Sequence, residues 1–200
     1  MRNLYIVNYC HANCSPLQSI TRLPESLAFA KANDLSSDNQ GTAFGRFADF
    51  RNYYPKRIRP EKWLYDRFVA MGGKPATRHP LYFVLHGSGY LDEWFGSGIA
   101  TRLPLEGIDS DHISFTLGDS MSKMDKPERK DPFRKEELFR MIEGHGGDVE
   151  NLLAAIRESY TYIEAQLWND LYLQEAPIAD KMENGPTTDP YGETVGESHT

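Results

Sequence analysis

Apolar residues fall into short runs separated by longer stretches of helical pattern. Asn3 to Tyr9 (NLYIVNY), Leu81 to Leu85 (LYFVL), Ile99 to Leu103 and His112 to Leu117 (HISFTL) are predicted strands. Ser15-Pro16-Leu17-Gln18 reads as a helix start, and Pro24 to Asn33 places Leu27, Ala28 and Ala30 at helical spacing. Residues 34–43 read as a polar loop. Pro60 is expected to open a further helix carrying Trp63, Leu64, Tyr65, Phe68, Val69 and Met71, closed by Gly72-Gly73. Residues 90–95 suit a short helix stopped by Gly96, Asp131-Pro132 caps one that ends near Gly144, and Asp148 starts another. The stretch 160–168 (YTYIEAQLW) is β-branched and aromatic and reads as a strand, with one long helix from Val149 to Leu167 as the alternative.

Strands and helices alternate without regular βαβ spacing. The expectation is therefore an α+β fold, a single compact domain with a mixed or antiparallel sheet and several flanking helices. No internal repeat and no linker interrupts residues 1–174, which read as the domain. Residues 175–200 hold six acids against Lys181, with three prolines and few large apolar side chains, so they read as an acidic, flexible tail. That tail carries −5 of the chain's −7, which leaves the domain nearly neutral.

Hydrophobic residues make up 40% and charged residues 26%, ordinary for a globular protein. No apolar run reaches the ~18 residues of a membrane span, and no leader is visible, so no membrane partner and a cytoplasmic location are expected. Cys10, His11 and Cys14 (CHANC) offer soft ligands, but no second cysteine pair exists to complete a zinc site. Reduced thiols, no metal and no cofactor are the expectation.

Three stretches carry candidate chemistry. Phe44 to Phe68 interleaves eight aromatics with seven bases against three acids. Such a stretch can bind nucleic acid, but it also arises when aromatics form core and the bases its solvated edge, which is the preferred reading. His86-Gly87-Ser88-Gly89 follows a strand and precedes a helix, so His86, Ser88 and Gly89 are candidates for holding a small anion, with a tight structural turn as the alternative. Gly118-Asp119-Ser120-Met121 ends the strand HISFTL and makes Ser120 a candidate nucleophile, with a plain strand-ending turn as the alternative.

Gly118-Asp119-Ser120-Met121 resembles the first block of the GDSL-type esterases, which pair their serine with a C-terminal Asp-x-x-His. Here the only Asp-x-x-His, Asp109 with His112, precedes the serine. The two His-x-Ser motifs at His86 and His112 resemble those of the two-histidine phosphoesterases, though more closely spaced. The opening LYIVNYCHANCSPLQSI is similar to the start of the ADP-ribosyltransferase-like fold. That resemblance implies a late-strand glutamate, Glu164, stabilising a ribosyl cation, with Arg46 or Arg51 gripping a pyrophosphate. HPLYFVL (79–85), GIDSDHISFTLGDSM (107–121) and YTYIEAQLWND (160–170) together resemble a family of short bacterial proteins without an assigned activity. Two functions stay open: a domain that binds an anionic ligand or partner, and a nucleotide-using enzyme of ADP-ribosyltransferase-like type, ahead of an esterase. Whether the chain is an enzyme at all is undecided at this level.

Overall fold

A computed structural model describes residues 3–38, 43–122, 124–126 and 129–174. The expected flexible tail, 175–200, lies outside them. Five strands, β1 (Tyr5–Cys10), β2 (Leu81–Leu85), β3 (Ile99–Pro104), β4 (Ile113–Leu117) and β5 (Ile163–Leu167), form one sheet in the order β3-β1-β2-β5-β4. Every neighbouring pair is antiparallel. Five helices accompany it: α1 (Glu25–Asp38), α2 (Phe50–Ala70), α3 (Gly89–Trp94), α4 (Lys135–Gly144) and α5 (Val149–Ile156). The architecture is α+β. Among the described residues, no helix is long and apolar enough to cross a membrane.

The ambiguous stretch divides. Helix α5 is capped by Asp148, whose side chain accepts from Glu150 N–H, and it stops at Ile156, where β5 takes over after a turn. Three helix starts differ from the sequence pattern. Leu17 adopts φ 58 and donates its N–H to Asn8 Oδ1 at 3.3 Å, so residues 15–18 form a turn and only a 3-10 turn, Ile20–Arg22, follows. Helix α4 begins at Lys135 because Phe133 is still extended and exchanges backbone hydrogen bonds with Phe115. Helix α2 begins ten residues before Pro60 and contains both Pro55 and Pro60. An interior proline costs a helix about 3 kcal/mol through its missing donor and its ring. Burial of Phe50, Leu64 and Phe68 along the same helix offsets that cost.

The front of that helix rests on a separate aromatic cluster. A 3-10 segment, Ala43–Asp49, has three residues per turn, so Phe44, Phe47 and Phe50 come into line. They are buried with Ala28 and Ala32 of α1, against partly buried Phe29, Tyr53 and Tyr54. No aromatic of the 44–68 stretch is among the exposed large apolar residues. Its rings are packing material, and its bases lie around them.

The strand period of two sorts the sheet into two unlike faces. One displays Ile6, Leu81, Phe83, Leu85, Leu103, Ile113, Phe115, Ile163, Ala165 and Leu167. Leu138 and Ile142 of α4, with Val149, Leu152 and Leu153 of α5, cover it. The other has Val7, Tyr9, Val84 and Tyr162 beneath Leu91 and Phe95 at one end. At its other end Trp168 packs with Leu64 and Phe68 of α2. Between those apolar ends the second face is polar and still buried.

Candidate functional site

Strand register builds the polar zone. Val84 pairs with Glu164 and Glu164 with Thr116; one row down, Tyr82 pairs with Gln166 and Gln166 with Ser114. Glu164, Gln166, Ser114 and Thr116 therefore point the same way, and all four are buried. A hydrogen-bonded chain runs through them. Trp168 Nε1 donates to Ser114 Oγ at 2.9 Å, and Ser114 donates to Gln166 Oε1 at 2.8 Å. Gln166 Nε2 then donates to Thr116 Oγ1 at 3.1 Å and to Glu164 Oε1 at 2.9 Å.

Helix α2 meets this zone with residues spaced to share one side: Arg57, Glu61, Leu64 and Phe68. The Arg57 guanidinium lies 3.9 Å above the Tyr82 ring, and its Nε donates to Glu61 Oε1 at 3.1 Å. Glu61 is wholly buried and also accepts from Thr21 Oγ1 at 3.1 Å, with His79 Nδ1 2.6 Å from its second oxygen. A buried carboxylate is tolerated because it has this many partners.

At the corner where β4 ends, Gly118 takes φ +72, and a Cβ there would lie 3.2 Å from Tyr160. Glycine is needed for this turn on both counts. Asp119 Oδ1 accepts from Met121 N–H at 2.8 Å and fixes the turn. Ser120 is carried inward, 5% exposed, and its hydroxyl faces the Glu164 carboxyl without completing a well-formed hydrogen bond. Its carbonyl accepts from Arg129 Nη1 at 3.2 Å. Arg129 lies 3.6 Å over the Trp63 ring, and its Nε is buried without a partner.

Both arginines direct donors at sulfur. Arg57 Nη1 lies 2.9 Å from Met121 Sδ, and Arg129 Nη1 2.6 Å from Met124 Sδ. A thioether is a weak acceptor, so these charge-bearing donors are poorly matched.

Electrostatics at the corner follow from burial. Glu164 is pushed up to about 7, first by desolvation and then by the negative charge of Asp119, while Arg57, Ser120 and Gln166 restrain the rise. Desolvation pulls Arg129 below the usual arginine range, against the opposing pull of Asp125 and Asp131. Burial opposes the charge on Arg57, but Tyr82, Glu61, Tyr53 and Glu164 together outweigh it and raise that group. The Tyr82 and Tyr162 hydroxyls are raised mainly by desolvation.

The sequence candidates separate into those the fold brings together and those it does not. Ser120 and Glu164, proposed for different chemistries, meet at this corner. His112 lies at the opposite end of β4, with Nδ1 2.7 Å from Tyr172 Oη, and Tyr172 also accepts from Asp109 N–H. Arg46 lies over the Phe47 and Tyr53 rings at 5.3 and 5.6 Å, and Arg51 is exposed on the first turn of α2. The arginine facing Glu164 from this helix is Arg57.

At the glycine turn, His86 takes φ 57, stacks on Tyr5 at 4.3 Å, and holds Nδ1 3.0 Å from Glu150 Oε1. Ser88 N–H donates to Tyr9 Oη, and Ser88 Oγ accepts from Leu91 N–H. Gly89 is exposed and begins a helix of only six residues. Two of the turn's amides are thus spent inside the protein, and a carboxylate sits beside its histidine. Cys10 Sγ donates to the Cys14 carbonyl, and burial pushes the Cys10 thiol up to about 11. Among the described residues, no group of three or more His, Cys, Asp or Glu could hold a metal ion.

Arg129, Tyr82, Glu61 and Gln166 were not singled out from sequence. The spacing 57-61-64-68 was a legible signal for the helix stripe; nothing local marks Arg129. Two surface hollows, of about 620 and 540 Å³, are lined by none of Glu164, Ser120, Arg57 and Arg129. The chain matches no family model, no curated protein and no solved structure, and the chemistry of this corner is what its function has to be argued from.

Proposed function

We propose that the chain is an anion-binding domain whose phosphate- or carboxylate-bearing ligand is held at the Ser120 corner by Arg57 and Arg129. One observation carries the reading: two guanidinium groups, held against the Tyr82 and Trp63 rings, spend donors on the Met121 and Met124 sulfurs while Arg129 Nε has no partner. Oxyanion oxygens are far better acceptors, and hydrogen bonds to charged groups contribute about 1.5–3 kcal/mol each. Methionine is unbranched and flexible, so the two thioethers can swing aside for a ligand. The buried Ser120 hydroxyl supplies a neutral donor at the same place.

The test is thermal unfolding with added phosphate and pyrophosphate. Ligand at about tenfold its Kd stabilises by about 1.4 kcal/mol, a rise of roughly 3–5 °C for a domain of this size. Arg129→Ala should remove the rise, and Arg46→Ala with Arg51→Ala should retain it. Absence of any rise in the unmutated protein at tens of millimolar phosphate would refute the proposal.

A second reading, a nucleotide-using enzyme of ADP-ribosyltransferase-like type, is supported by Glu164 standing on the last strand with arginines facing it. Release of nicotinamide from NAD, lost in Glu164→Gln, is the result that would favour it over simple binding.

A further inference from the structure

Polar and charged groups surround Glu164. Arg57 faces it from α2, with Glu61 bonded to that arginine, Tyr82 from β2, and Tyr162 and Gln166 from its own strand. Asp119, Ser120 and Arg129 face it from the corner turn and the segment beyond. Asp119 already opposes a charge on Glu164, and an oxyanion held by Arg57 and Arg129 adds to that opposition. Like charges in so buried a site cannot all persist.

We infer that anion binding at this corner draws a proton onto Glu164, so that ligand and proton are taken up together. The inference rests on the anion-binding reading. A protonated Glu164 keeps its acceptor oxygen for Gln166 and gains an O–H that can donate to Ser120 Oγ beside it. A neutral Glu164 also no longer competes with the ligand for the Arg57 charge. In the free protein, Glu164 titrates close to neutrality for the reasons given above, so the uptake falls within the working range of pH.

The direction of the coupling is fixed. Well below pH 7 the proton is already present and the ligand binds at full strength. Above pH 7 each binding event must capture it, and affinity declines.

Sulfate is the probe, because it does not itself titrate near neutrality. Isothermal titration of the full chain in two buffers of different ionisation enthalpy at pH 8 counts the protons taken up per sulfate bound. Close to one proton is expected, with Kd weakening about tenfold between pH 6 and pH 8. Glu164→Gln should abolish both the uptake and most of that pH dependence. The unmutated protein decides the matter even if the variant folds poorly. Sulfate bound without proton uptake overturns this inference and leaves the anion-binding reading standing. Uptake that persists in Glu164→Gln overturns the assignment to Glu164. Failure of sulfate and phosphate to bind at any pH overturns both.

Discussion

The two faces of the sheet solve the same problem in different ways. The face under α4 and α5 excludes water with aliphatic and aromatic side chains and needs only complementary shape. The face under α2 buries Glu61, Glu164, Gln166, Ser114, Thr116 and Ser120, and must match donors with acceptors one by one. Buried charges rarely stabilise more than apolar residues of equal volume would. Most of the α2 face is nonetheless fully matched, from Trp168 through Gln166 to Glu164, and from Thr21 and His79 to Glu61. At the Ser120 corner Ser120 Oγ and Arg129 Nε lack good partners and two arginines direct donors at sulfur, which is why function is sought there.

The contrast can be broken from either side. The largest effect is expected on the apolar face: Phe115, wholly buried in β4, should cost about 3–5 kcal/mol as Phe115→Ala, read as a shift of the urea midpoint with unchanged slope. On the polar face Glu61→Ala strands Arg57, Thr21 and His79, at about 3 kcal/mol. If both are equally mild, the faces do not differ in how they hold the fold. The smallest effect sharpens the comparison. The Glu164 carboxyl is raised in the folded state, so its contribution to stability is fully present below about pH 4.3, its unfolded value, and is lost as pH rises to about 7. Glu164→Gln should flatten this part of the stability profile and leave the protein at pH 8 no less stable than the parent. A profile that still falls between pH 4.3 and 7 in the variant would assign the titration elsewhere.

Sequence made the strands legible because apolar runs such as LYFVL and HISFTL are short, β-rich and bounded by turn residues. The alternation in Ile163-Glu164-Ala165-Gln166-Leu167 assigns faces but not what covers them. That pattern is the ordinary mark of a half-solvated strand; here α2 lies over the polar side. The start of α2 was hidden because proline suits the first turn of a helix, and two prolines sit inside this one. Ser120 and Glu164 were each visible as candidates, yet their meeting depends on β5 pairing with β4. Arg57 and Arg129 reach the corner from segments 72 residues apart, a juxtaposition no local pattern encodes.

The placement of β5 between β2 and β4 has a consequence for vectorial synthesis. During translation β1, β2 and β3 can pair as soon as they emerge, since β1 joins the other two. Strand β4 then has no sheet to join, and β2 presents an open edge, until residues 163–167 are made. An unpaired, apolar edge is a template for association with other chains. The nascent protein therefore carries its greatest hazard late, and a single five-residue strand removes it by closing both edges at once.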